Sequence, residues 1–208
     1  TTCSRGPIVA AVSGVANPVI PAALLDTPLT YEDMSGIGSG LGAGGFIVLD
    51  DESDLVAFAQ GVSRFLAVES CGQCTPCKQD GVAIADLLDR IRSSEADPAD
   101  LDEVQDRLDT VANSSRCYLA TQQEQVVRSV LSLFPEPFVA HLERRADAAD
   151  VFLVAQIKDI VDGQAILDER QAAKQPDWRY DEEYSGQSPA DHIDQRTPAG
   201  PASDETAV

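Results

Sequence analysis

The spacing of apolar and polar positions changes character along the 208-residue chain. Residues 1–50 are rich in Gly, Pro and Val and show no long helical pattern. Ile8 to Val12 reads as a short strand, and Pro18 and Pro21 interrupt the pattern beyond it. A glycine-rich run from Gly36 to Gly45 then enters Phe46-Ile-Val-Leu49, a loop leading into a buried strand.

Between 51 and 145 the apolar positions take a helical period. Asp51 or Ser53 is placed to cap a helix whose Leu55, Val56, Phe58, Ala59, Val62, Phe65 and Leu66 share one face. A second helix is expected from about Lys78 to Arg92, with Val82, Ile84, Ala85, Leu87, Leu88 and Ile91 inward. Asp97-Pro98, a cap followed by proline at the first helical position, starts a third with Leu101, Val104, Leu108 and Val111 in register. A fourth spans Leu119 to Leu133. Pro135 and Pro137 end it, with a short helical continuation toward Arg145. Four antiparallel helices joined by short links predict a bundle.

After residue 155 the period becomes two. Gln156 to Val161, then Asp162-Gly163, then Gln164 to Leu167 predicts a hairpin, because Asp-Gly suits the two positive-φ positions of a type I′ turn. A lone hairpin is marginal, so it should lie against something. Beyond Tyr184 the chain is polar, acidic and Pro-rich, which predicts disorder. The expected fold is therefore mainly α. A four-helix bundle (51–145) comes after a short Gly-rich β segment (1–50). A hairpin and docking segment (146–184) and a disordered acidic tail (185–208) complete the chain.

Composition narrows the partners. The net charge is −20 and the pI about 4.2, so a phosphate backbone or an anionic membrane surface would be repelled. From residue 146 onward there are fourteen acids against five bases. Aromatic residues are 5% of the chain, so the core should be mostly aliphatic. No run of eighteen uncharged apolar residues exists, which predicts no direct membrane insertion. The N-terminus, Thr-Thr-Cys-Ser-Arg, has no initiator Met and no signal-peptide pattern, and reads as a processed or truncated end or as part of a larger chain.

Five cysteines are present. Cys71, Cys74 and Cys77 are separated by two residues each, a spacing that disulfides use poorly. Metal ligation is the better reading, and it implies a reducing compartment such as the cytoplasm. Two-residue gaps let successive sulfurs converge on one compact object, and such triplets commonly supply three of the four thiolates of a cubane cluster. Pro76 stiffens the loop, and the third cysteine is expected just ahead of a helix whose free N–H groups favour an anionic centre. Lys78, with Arg64 and Arg116, would add positive charge and raise the potential. Cys117 completes the set, because two helices fill the intervening chain and return it to the same end of a bundle. The expected group is one [4Fe–4S] cluster on Cys71, Cys74, Cys77 and Cys117. Structural zinc is the alternative, and it favours paired Cys-x-x-Cys knuckles or Cys/His mixtures. Cys3 is left over as a free thiol. His141 reads as a capping or solvated side chain, and Trp178 as an anchor pinning the C-terminal segment to the domain or to a partner. The glycine run at 36–45 precedes a strand rather than opening a helix, so it reads as a packing loop and not as a dinucleotide site.

Glu69-Ser-Cys-Gly-Gln-Cys-Thr-Pro-Cys-Lys78 with a lone Cys117 downstream resembles the NADH-binding flavoprotein subunit of respiratory complex I. The same module occurs in NAD-reducing hydrogenases and NAD-dependent formate dehydrogenases. Leu24-Leu-Asp-Thr-Pro-Leu-Thr-Tyr-Glu-Asp-Met34, Gly38-Ser-Gly-Leu-Gly-Ala-Gly-Gly45 and Ile47-Val-Leu-Asp-Asp51 extend the likeness, which covers roughly residues 8–145. The resemblance implies a four-helix cluster domain that takes electrons from FMN reduced by NADH, with the four named cysteines as ligands. It also implies redox subunits as partners, one of them flavin-containing, and a cytoplasmic site, including the cytoplasmic side of a membrane-associated complex. Nothing here corresponds to the family's FMN/NADH domain, so FMN and NAD(H) would sit on a partner chain or a missing domain. Residues 1–50 would be the remnant of a linker to it. Lys78 stands where Arg is common, and Tyr-Leu-Ala-Thr comes directly after Cys117. The chain so read is an oxidoreductase component, not catalytically complete alone. A module that holds an assembly together without redox turnover is the other class of reading.

Overall fold

The computed structural model describes residues 6–176 and Trp178. Cys3 and the acidic tail lie outside the described residues. Among those described the chain is mainly helical, with two small antiparallel sheets.

β1 (Ile8–Ser13) is the middle strand of the first sheet, between β2 (Ile20–Pro21) and β3 (Phe46–Asp50). Ala11 pairs with Ile20 on one side and with Val48 on the other. Pro21 is tolerated because β2 is an edge strand. Ala10, Val12 and Leu49 join the core shared with the helices. A short helix, α1 (Tyr31–Gly36), comes between β2 and β3, capped by the Thr30 hydroxyl accepting from the Asp33 amide. Its six residues, fewer than two turns, are too few to show a period in the sequence.

The glycine run then folds back on the end of β1. Gly42 N–H donates to Ser13 Oγ (2.9 Å), and Asn17 Nδ2 donates to Ser13 O (2.9 Å) and Gly40 O (3.3 Å). A Cβ on Gly40 would stand 2.8 Å from Asn17 Oδ1. The run is a packing loop, as its place before a strand suggests.

α2 (Leu55–Glu69) is capped by neither expected residue but by Asp54, one position after Ser53 and three after Asp51. Asp54 accepts from Ala57 N–H at 2.7 Å, while Ser53 turns back to Asp50. Every residue from Leu55 to Ser63 is buried, not one face alone. α2 is the central helix, with α3 (Thr75–Arg92), α5 (Leu119–Leu133) and α6 (Pro135–Leu142) against it. α4 (Pro98–Leu108) packs on α3 and opens with the expected Asp97-Pro98 start, reinforced by Asp100 in a capping box. Phe58, Ile84, Leu88, Ile91, Val104, Val127 and Phe138 are at most 1% exposed. Each such side chain contributes about 1.5–3 kcal/mol by leaving water. Gln123, fully buried on α5, ties three helices by donating from Nε2 to Ser63 Oγ (2.6 Å) and Gly81 O (2.9 Å).

His141 departs from its expected role. It is 1% exposed, and its ring bridges Asp54 Oδ2 (2.9 Å) and Ser94 Oγ (3.0 Å). It joins the end of α6 to the start of α2 and the turn after α3. The contact is tertiary, so the local pattern at Phe138-Val-Ala-His141 could not show it.

Past α6 the chain runs back along α2 and α3. Ala149 N–H donates to Arg92 O, and the Phe152 ring meets Phe58 edge-on at 5.4 Å. Gly61 makes room for this crossing, since a Cβ there would stand 2.0 Å from Phe152 O. β4 (Ile157–Val161) and β5 (Gln164–Leu167) come next, joined through Asp162 (φ 51°) and Gly163 (φ 77°) as the type I′ signal predicts. Among the described residues the hairpin packs little on the domain, against expectation. All of β4 is exposed, with Ile157 and Ile160 above 60%. A short helix, α7 (Arg170–Ala173), brings the chain back to α2. No helix among the described residues is long and apolar enough to cross a membrane.

Candidate metal centre

The cysteine loop is the link between α2 and α3. Ser70 closes α2 in extended backbone, and Gly72 turns the chain at φ +68°, a region where a side chain is strained. Cys74 is the N-cap of α3, and its carbonyl accepts from Lys78 N–H at 2.9 Å. Pro76 fits in the first turn because an N–H there would have no helical partner. The helix therefore begins three residues earlier than expected. Cys77 lies inside its first turn, and it is Cys74 that sits at the helix start.

Cys71 and Cys117 are exposed, Cys74 is half-buried and Cys77 is buried; all four are free thiols. Cys117 stands just ahead of α5, after the turns that end α4. The gap between Cys77 and Cys117 is filled by α3 and α4, which bring the chain back as the helix count predicts. Arg116 spans the two loops by donating to Gln73 Oε1 at 3.2 Å. All four cysteines line one cavity of about 210 Å³, together with Ser70, Gln73 and Arg116. Ser70 Oγ lies 3.3 Å from Cys77 Sγ. Burial pushes the Cys77 thiol above its ordinary pKa. The Ser70 hydroxyl opposes this, and the three neighbouring cysteines add a smaller upward push.

The donor set suits a cluster better than a single ion. A zinc ion would draw its sulfurs to about 2.3 Å of one point. The side chains lining the cavity that could bind metal are the four cysteines, without His, Asp or Glu among the described residues. The cavity is several times the roughly 30 Å³ that one water occupies. An all-sulfur donor set of four thiols on one cavity fits an iron–sulfur cluster, which cysteine thiolates would hold.

Of the three basic residues expected near the motif, Arg116 lines the cavity. Lys78 instead lies 4.5 Å from the centroid of the Trp178 ring. Arg64 donates to Lys174 O at 2.9 Å, on the outer side of α2. Lys174 itself is 2% exposed and pairs with Glu69 at 2.7 Å. These contacts join residues about a hundred positions apart, and of them the sequence pointed only to Trp178, as an anchor.

Residues 57–141 match the NADH-ubiquinone oxidoreductase-F iron-sulfur binding region, and all four cysteines fall within it. A [4Fe–4S] centre is the cofactor that goes with this region. The chain is 33% identical to an NADH-quinone oxidoreductase subunit of Rhizobium meliloti (strain 1021), over 64% of this chain and 31% of that protein. It is 28% identical to NADP-reducing hydrogenase subunit HndC of Solidesulfovibrio fructosivorans, over 61% and 26%. Among solved structures it superimposes on a chain of an air-oxidized NAD+-reducing [NiFe]-hydrogenase with a TM-score of 0.59 at 30% identity, covering 66% of this chain and 24% of that one. The chain thus spans about a third or less of the length of the relatives it matches.

Proposed function

We propose that this chain is an electron-transfer component of an NADH dehydrogenase-like oxidoreductase. One [4Fe–4S] cluster would be held by Cys71, Cys74, Cys77 and Cys117, between a flavin site on a partner and another redox centre. The observation that carries the reading is the convergence of four free thiols on one cavity, inside the segment that matches the iron–sulfur region. A cluster bound there supplies one-electron redox chemistry. The protein's own part is to hold and shield. The thiolates bind, Ser70 offers Cys77 a hydrogen-bond partner, and Arg116 sets a fixed positive charge at the rim. Cys71 and Cys117 lie on the exposed side, where a partner's redox centre can come close.

In this reading α2 to α5 work as a four-helix cluster bundle within residues 51–145, and residues 1–50 are what is left of a linker toward a flavin domain. FMN and NAD(H) belong to that other domain or chain. The test is anaerobic reconstitution with iron and sulfide, then an iron and acid-labile sulfide count and electron paramagnetic resonance of the reduced protein. Equal iron and sulfide with a reversible signal is the expected result. A colourless, redox-silent protein that binds zinc in place of iron would overturn it in favour of a structural module.

A further inference from the structure

We infer that residues 171–176 and Trp178 form a clasp over the cysteine loop, in which Lys174 and Trp178 are positioning residues that hold the loop closed and keep its metal centre in place. The inference rests on the cluster reading above.

The first fastening is polar. Lys174 is 2% exposed, and an ammonium so deeply placed must be paired or it costs several kcal/mol. Its partner is Glu69, the last residue of α2 and two positions ahead of Cys71; the Nζ–Oε1 distance is 2.7 Å. Gln171 Nε2 donates to the same oxygen at 3.0 Å. Further back on α2, Arg64 donates to the Lys174 carbonyl at 2.9 Å. Side chain and backbone of the clasp are therefore both held by α2. Ordering a lysine this fully gives up most of its rotamer freedom, so the contact is a committed one.

The second fastening is aromatic. The Trp178 ring lies on Gly72, and a Cβ on Gly72 would stand 2.3 Å from its Cδ1. On the far side of the loop, Lys78 Nζ sits 4.5 Å from the ring centroid, a cation–π distance. One side chain thus bears on the loop just after Cys71 and on the helix turn just after Cys77. Among the described residues the buried Trp178 Nε1–H has no hydrogen-bond partner, and the ring meets the loop by packing. Between these points Cys71, Gln73 and Thr75 are exposed, and the loop's other polar contacts include Arg116 on Gln73 and the Ser70 hydroxyl on the Gly72 amide and Cys77.

The test uses the full chain, reconstituted with iron and sulfide, as wild type and as Trp178→Ala, Trp178→Phe and Lys174→Met. Loss of the cluster's visible absorbance to an iron chelator is timed. In the iron-free proteins, alkylation of half-buried Cys74 is timed by mass spectrometry. Trp178→Ala and Lys174→Met should release iron about tenfold faster or more, the usual scale for residues that support metal ligands. Trp178→Phe should stay near wild type, because a ring still covers Gly72. Cys74 alkylation should quicken in the same two variants. Wild-type rates in both assays for Trp178→Ala and Lys174→Met would overturn the clasp. A wild type that takes up no iron, with Cys74 alkylation still faster in the variants, would sink the cluster reading and leave the clasp standing.

Discussion

The cysteine loop and the β4–β5 hairpin turn the chain in the same way and stand in opposite surroundings. Each pivots on one left-handed glycine, Gly72 at φ +68° and Gly163 at φ +77°. The backbone asks the same thing of both. A Cβ at Gly72 would strike Trp178 at 2.3 Å, whereas a Cβ at Gly163 would meet nothing within 4 Å. The hairpin turn is fixed by local chemistry alone. The cysteine loop is fixed twice, once by its own residues and once by chain about a hundred positions away.

The comparison can be broken most severely at the thiols. Cys77→Ser should abolish iron uptake in the reconstitution assay, because the buried member of the set has no substitute nearby. A full iron and sulfide count in that variant would remove Cys77 from the site. Gly72→Ala comes next. Left-handed backbone costs a side chain about 1–2 kcal/mol, and here the displaced Trp178 packing adds to it. Urea unfolding should show a loss beyond that range, partly relieved in the Gly72→Ala/Trp178→Ala double variant. Gly163→Ala should carry the same backbone cost and no more. Because β4 is exposed throughout, the loss should appear as faster amide exchange in 157–167, with the global urea midpoint nearly unmoved. Smallest of all is Ile160→Thr on the exposed hairpin, expected within about 0.5 kcal/mol of wild type by the same unfolding measurement. A larger loss there would mean that the hairpin is packed against something in solution.

Much of the helical region is legible in the sequence. The Asp97-Pro98 start, the stop of α5 ahead of Pro135 and the Asp-Gly turn are set by neighbours in sequence, through a capping bond and φ preferences that need no tertiary partner. The start of α3 lies ahead of its expected place because Pro76, which can stiffen a loop, is equally at home in a helix's first turn. The cap of α2 is ambiguous because Asp51, Ser53 and Asp54 stand within four residues and each can accept from a helical amide. His141 and Lys174 are beyond the reach of local pattern. Both are polar side chains, buried only because partners from distant elements neutralise or hydrogen-bond them.

The four cysteines mark the same division. Their identity, their spacing and the two helices that separate the triplet from Cys117 are properties of the sequence. Residue type decides which atoms can bind metal, and periodicity decides that the chain turns back. Only the tertiary structure decided how the thiols share one cavity, which of them face solvent, and that Glu69, Gly72 and Lys78 are gripped by Lys174 and Trp178. Burial and long-range contact belong to the packed whole, and no local pattern encodes which distant residue will complete them.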